Sequence, residues 1–281
     1  MTLRELLVRT EEALATGPHA ERSRLDASTL LLIALGKSRA WFLGHFGEEA
    51  GEELEETLAP LMARRLRGEP IQYITGQAEF YGLRFAVRPG VLIPRPETEH
   101  LVEEAMRLAG GLNAPRILDI GSGSGAIAVA LAHELPEAMV TSVDISPDAL
   151  AIARENAVAN EVRVRFVLGD LLGPVAGERF DLIVSNPPYV PEGDRESLAV
   201  EVREHEPALA LFAGADGLVI YRRLIPEARG HLAGGGWLLL EIGHGQQAAV
   251  EGLLEAAGYG GIHFLADYQG IERVACGQSN S

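Results

Sequence analysis

Asn186-Pro187-Pro188-Tyr189 follows directly on the apolar run 181–185, and the tetrapeptide is suited to holding an amino group. Two consecutive prolines end a strand's ladder, because neither carries a backbone N–H. The chain is stiff there, and its carbonyls are left open to donors from outside. The side-chain carbonyl of Asn186 and the backbone carbonyl of Pro187 can each accept one hydrogen of an NH2 group. Tyr189 can lay its ring on the group's planar face. This arrangement suits methylation of an amine attached to a planar π system, whose lone pair is delocalised. Holding both N–H bonds favours a pyramidal nitrogen and aims the lone pair at the incoming methyl. In-line positioning can supply up to ~7–11 kcal/mol of a barrier. Acceptors facing the positive charge that grows on nitrogen add electrostatic stabilisation. No strong general base is needed, since nitrogen acidifies as it becomes cationic.

A methyl donor needs its own cradle. Ile117-Leu118-Asp119-Ile120 runs into Gly121-Ser122-Gly123-Ser124-Gly125-Ala126 and then a helical stretch. A strand, a glycine turn and a helix N-terminus let a ligand approach the backbone closely. Asp144 ends the next apolar run, 19 residues past Gly125, where a carboxylate can accept both hydroxyls of a ribose. Gly169-Asp170 ends the third run, where a second acid can accept from an adenine amine. Gly121, Gly123 and Ala126 also satisfy the dinucleotide fingerprint, so two cofactors compete. The extra Gly125 and the preceding Asp119 match instead the Asp-x-Gly-x-Gly-x-Gly loop of S-adenosylmethionine enzymes. Asp119 is then placed to meet a cationic group, directly or through water.

The elements that must position these residues can be read from periodicity. Segment 3–66 is helical, with Leu3, Leu6, Leu7 and Leu14 at helical spacing and stops at Gly17-Pro18 and Gly36. From Ile71 short alternating stretches (71–74, 79–81, 83–87) read as hairpin strands. After Pro115 strand runs (116–119, 139–144, 162–168, 180–185, 237–242, 262–266, 273–276) alternate with helical stretches near 124–134, 147–159, 217–233 and 246–257. Nearly all-apolar strands alternating with helices mean a parallel sheet covered on both faces. Only six residues separate the last two strands, too few for a parallel crossover, so one is antiparallel to its neighbour. The expected division is a helical domain 1–70, a β-hairpin linker 71–90 and a Rossmann-like α/β domain 91–281 with a seven-stranded sheet.

The chain of 281 residues is 47% hydrophobic and has a net charge of -16 from 40 acidic and 24 basic residues. An acidic body repels phosphate backbones, which opposes direct nucleic-acid binding. A single cysteine, Cys276, fits a reducing cytoplasm. Neither a signal-peptide core nor a ~20-residue apolar run stands in the chain, so no membrane association is expected. The eight histidines and one cysteine show no metal-ligand spacing, and no metal site is expected. With no exposed interface stripe, a monomer is the default.

Over essentially its whole length the chain resembles the bacterial peptide chain release factor glutamine N5-methyltransferases. The resemblance rests on Leu25-Asp26-Ala27, Gly68-Glu69-Pro70-Ile71-Gln72-Tyr73-Ile74-Thr75-Gly76 and Val91-Leu92-Ile93-Pro94-Arg95-Pro96-Glu97-Thr98-Glu99. It continues through Glu206-Pro207, Ala213-Gly214-Ala215-Asp216-Gly217-Leu218 and Leu240-Glu241-Ile242-Gly243. It implies a helical N-terminal domain that docks a class I release factor, and a catalytic domain that receives the glutamine of its Gly-Gly-Gln loop. It implies S-adenosylmethionine contacts at Gly121, Ser122, Gly123, Ser124, Gly125, Asp144, Asp170, Leu171 and Asn186. Asn186, Pro187, Pro188 and Tyr189 would hold the glutamine. Leu171 stands where many relatives carry an aromatic beside the adenine, and Ser122 replaces a frequent Thr.

Rival readings use the same tetrapeptide. One is an N6-adenine or guanine-N2 nucleic-acid methyltransferase acting on a flipped base, which would want a basic channel. Another targets a glutamine of a ribosomal protein. Glu97 reads equally as a site-lining acid or a first-turn acid of a helix. Glu241 is as readily structural, and His244 reads as an exposed loop histidine.

Overall fold

The computed structural model describes residues 1–280, in two compact units. One comprises Met1–Gly76 with Leu198–His205, the other Gln77–Ser197 with Glu206 to the end of the described chain.

Helices α1 (Leu3–Leu14), α2 (Ser23–Leu35), α3 (Arg39–Gly44), α4 (Glu52–Leu66) and α5 (Ile71–Thr75) come first. A hairpin β1 (Gln77–Phe80) and β2 (Leu83–Ala86) leads to α6 (Glu99–Ala109). Then follow β3 (Arg116–Ile120), α7 (Ala126–Glu134), β4 (Met139–Asp144), α8 (Pro147–Ala159), β5 (Arg165–Leu168) and β6 (Phe180–Ser185). Two short helices, α9 (Val200–His205) and α10 (Ala208–Leu211), precede α11 (Val219–Arg229). The chain closes with β7 (Leu232–Glu241), α12 (Gln247–Ala256), β8 (Tyr259–Ala266) and β9 (Glu272–Ser279).

In the helical unit, Thr2 and Glu5 form a capping box that starts α1, and Gly36 in the left-handed region ends α2. Glu52, Glu53 and Glu55 occupy the first turn of α4 and Arg64 and Arg65 its last, each complementing the helix dipole. Leu3, Leu6, Leu30, Leu31, Phe42 and Leu58 form the core. Buried within it, Arg65 donates from Nε to Asp26 Oδ2 at 2.6 Å and from one terminal nitrogen to Glu201 Oε2 at 3.0 Å. That ion pair ties α9 into the helical unit. Segment 71–74, expected as strand, is instead helix α5: Gly76 takes φ +74 and caps it, and Ile71, Tyr73 and Ile74 are buried. An i, i+2, i+3 set of apolar residues fits one face of a short helix as well as it fits a strand.

In the second unit the sheet order is β5-β4-β3-β6-β7-β9-β8. Strands β5, β4, β3, β6 and β7 run parallel, and β9 inserts antiparallel to both β7 and β8. The antiparallel strand expected at the C-terminal end is therefore β9. Leu118, Ile183, Leu238, Leu240, Tyr221 and Leu224 lie in the core beneath the sheet's helical cover. Strand order reverses between β3 and β6, so their carboxyl ends open the crevice where such sheets bind ligands. The glycine loop leaves β3 there, and Asn186 leaves β6 beside it.

Candidate active site

A cavity of about 510 Å³ opens over the carboxyl ends of β3, β4 and β6. That falls in the range of small-molecule sites. Its floor is the glycine loop. Gly121, Gly123 and Gly125 take φ of +87, +52 and +84, values at which a Cβ is strained. At Gly125 the close approach is physical as well: a Cβ there would stand 3.0 Å from that of Ala153, so α7 could not seat against α8.

Asp144, at the end of β4, accepts from Gly123 N at 2.9 Å and from Ser146 N at 2.8 Å. Both oxygens are thereby fixed at the cavity wall, with lone pairs remaining for hydroxyl donors. Burial raises its carboxyl above the usual range, and these backbone N–H groups oppose the rise. Asp119 is fully buried beneath the loop. It accepts from Ser142 Oγ at 2.7 Å, and Ser142 in turn bonds Ser122, so the acid braces the glycine turn from below. Its Oδ1 has no partner, and burial pushes its pKa up to about 7.

Ser122, Ser124, Asp170, Leu171, Asn186, Pro187 and Pro188 line the cavity together with Gly121, Gly123 and Asp144. Asp119, Gly125 and Tyr189 do not. Asp119 sits under the turn and Gly125 behind it. Tyr189 turns its hydroxyl to Glu241 Oε1 at 3.2 Å, while its backbone carbonyl accepts from Gln246 Nε2 at 2.9 Å. Asp170 is exposed at the rim and held by Arg223 at 2.6 Å. Leu171, at φ +47, packs into the core with Leu172 and Val175 while closing one side of the cavity.

Asn186 is half-buried, and its Nδ2 donates to Thr98 Oγ1 at 3.1 Å. The Thr98 hydroxyl donates to Glu241 Oε2 at 2.6 Å. Beyond the tetrapeptide, Val190 N donates to Leu211 O and Ala213 N to Val190 O, which seats α10 over the site. Residues that line the cavity and that motif reading missed include Phe80, Arg95, Thr98, Phe212 and Arg223. Arg95 is held by Glu206, a buried acid that also accepts from Ile93 N. The 93–99 segment carried the one available signal: Thr98 reaches the cavity, while its neighbour Glu97 does not. His244 is exposed, as read from its loop, and Glu241 is buried.

Elsewhere in this unit Glu104, His263 and Cys276 place ligand-type atoms within 4.8 Å, a grouping their spacing in the chain does not reveal. Arg107 holds Glu104 through two hydrogen bonds, His263 takes a third, and burial raises the Cys276 thiol far above its usual range.

A glycine cradle with an acid at the next strand's end, facing an Asn-Pro-Pro-Tyr turn, fits a sulfonium nucleoside and a planar NH2 group side by side. Comparison with known proteins agrees with that chemistry. Residues 5–76 match the PrmC N-terminal domain and residues 98–205 the methyltransferase small domain. A methyltransferase from Pyrococcus furiosus shares the fold at TM-score 0.54 and 20% identity, over 71% of this chain and 90% of that one. The Thermus thermophilus 16S rRNA N2 G1207 methyltransferase does so at TM-score 0.54 and 22% identity, over 73% of this chain and 50% of that one. Much nearer in sequence is the release factor glutamine methyltransferase of Geobacter sulfurreducens, 46% identical over 99% of this chain and 96% of that protein. The Salmonella typhimurium protein of the same name is 43% identical over 92% of this chain and 93% of its own length. Identity of that extent, spanning the helical unit as well as the widely shared sheet, makes this chain a member of the release factor glutamine methyltransferase family.

Proposed function

We propose that this protein methylates the side-chain amide nitrogen of the glutamine in the Gly-Gly-Gln motif of class I release factors. The observation that carries the reading is the orientation of Asn186. Its Nδ2 is committed to Thr98, so its carbonyl is the atom left to face an NH2 group in the cavity. A glutamine amide is a planar NH2 with a delocalised lone pair, the case for which two fixed acceptors are needed.

When bound, S-adenosylmethionine supplies an electrophilic methyl on a sulfonium, and S-adenosylhomocysteine is the leaving product. The glycine loop and Asp144 would hold its nucleoside, with Asp170 and Leu171 at the adenine end. The buried, unpartnered Oδ1 of Asp119 supports a ligand that brings positive charge to the turn. Asn186 Oδ1 and the Pro187 carbonyl hold the two amide hydrogens and favour a pyramidal nitrogen. As positive charge grows on that nitrogen the same two acceptors stabilise it, and its acidified proton then passes to water. The helical unit, whose residues match the N-terminal domain of the family, docks the release factor.

The test is methyl transfer from labelled S-adenosylmethionine with purified release factor, total RNA and total DNA offered in parallel. Label on the release factor alone is expected. Label on nucleic acid alone would keep the cofactor site and overturn the substrate.

A further inference from the structure

Glu241, the last residue of β7, is a buried carboxylate that the mechanism above does not use. Both its oxygens accept hydrogen bonds, Oε2 from Thr98 and Oε1 from Tyr189. An acceptor-only carboxylate consumes the single hydroxyl hydrogen of Thr98. Thr98 can then only accept from Asn186, so the asparagine amide must turn Nδ2 toward Thr98 and Oδ1 toward the cavity. The orientation of that amide is thus dictated by two hydrogen bonds in series, Asn186 to Thr98 and Thr98 to Glu241, each with one direction while Glu241 is ionised.

We propose that Thr98 and Glu241 are positioning residues for methyl transfer: Glu241, through the Thr98 hydroxyl, sets Asn186 so that it presents an acceptor to the substrate nitrogen. The inference rests on the reading of Asn186 given above. It extends that reading to Thr98 and Glu241, whose role runs through Asn186.

The arrangement also depends on the charge of Glu241. Groups facing it are Thr98 and Glu97 ahead of α6, Tyr189 after β6, Tyr221 on α11 and Arg273 on β9. Tyr221 donates to the backbone carbonyl of Glu241 at 2.7 Å. Burial lifts the Glu241 carboxyl to about 7, with Glu97 adding to the rise and Thr98, Tyr189 and Arg273 opposing it. Once protonated on Oε2, Glu241 donates to Thr98 and frees the Thr98 hydrogen to point at Asn186. The amide can then reverse and set its own NH2 against the substrate's NH2. Turnover should therefore fall as pH drops through about 7.

The test compares Thr98→Val and Thr98→Ser in the full-length protein, measuring kcat, KM for release factor, cofactor affinity, melting temperature and the pH profile of kcat. Valine keeps the shape and removes the hydroxyl; serine keeps the hydroxyl. Thr98→Val is expected to lose about 10–100-fold in kcat, the equivalent of one buried polar group left unpaired. Its cofactor affinity should stay near wild type, its melting temperature should fall by only a few degrees, as for any buried group left unpaired, and its acid limb near pH 7 should flatten. Thr98→Ser should restore both rate and limb. Wild-type kcat in Thr98→Val, or an equal loss in Thr98→Ser, overturns the proposal while leaving the substrate assignment standing. A wild-type protein that does not methylate release factor overturns the assignment itself, and the positioning role with it.

Discussion

In the proposed reaction Asn186 is the side-chain acceptor for the substrate nitrogen. Its type and its place before two prolines announce an acceptor at the end of a buried strand, and the structure puts it on the cavity wall. Asn186→Ala should keep S-adenosylmethionine binding and lose about 10²–10³ in kcat, the scale of removing one preorganised partner of a transition-state charge. Asp144→Ala should do the reverse, weakening cofactor binding by roughly 10-fold or more, as expected for a lost charge-assisted hydrogen bond. Isothermal titration with cofactor and steady-state kinetics together separate the two roles. Unchanged cofactor affinity in Asp144→Ala would remove its ribose role. Thr98 was far less legible, because its partner Glu241 lies 143 residues further along the chain. Nothing local to Arg95-Pro96-Glu97-Thr98 distinguishes the threonine from the acid beside it. Tyr189 shows the same limit: its type suggests a stacking face, and nothing near it in the chain reveals that its hydroxyl donates to the buried carboxylate at the end of the neighbouring strand β7.

At the scale of elements, the alternation of apolar strands and helices is enough to give a covered parallel sheet, and a six-residue connection is enough to demand an antiparallel strand. Short elements were harder. Ile71–Thr75 forms one helical turn and a half, too few residues for either period to dominate. Helices α9 and α10 carry no amphipathic run long enough to announce themselves. What positions the glycine loop is also non-local. Asn156 on α8 donates to Ser124 O at 2.8 Å and to Ala86 O at 3.0 Å, and accepts from Ala86 N at 2.7 Å. One buried side chain thereby joins the hairpin, α8 and the loop. Asn156→Ala would strand three backbone groups and should cost about 2–4 kcal/mol, read as a lower urea midpoint at unchanged m. An unaltered midpoint would mean that water replaces the asparagine without loss.

For the molecule as a whole, the fold alone leaves the substrate open, since an rRNA methyltransferase has the same sheet. The discriminating features are the helical N-terminal unit and the net charge of -16, which disfavours a polyanion. The change of periodicity read near residue 71 falls inside the helical unit, which continues through α5 to Gly76. Nothing local in the sequence marks Leu198–His205 as part of the helical unit, where Arg65 meets Glu201 across 136 residues of chain. Fragment mass spectrometry of release factor, after incubation with the protein and S-adenosylmethionine, reads substrate, residue and atom at once. A single added methyl is expected on the side-chain nitrogen of the Gly-Gly-Gln glutamine, formed about 10²–10³-fold more slowly by Asn186→Ala. A methyl on any other residue, or an unmodified glutamine after full turnover of cofactor, would contradict the proposed reaction.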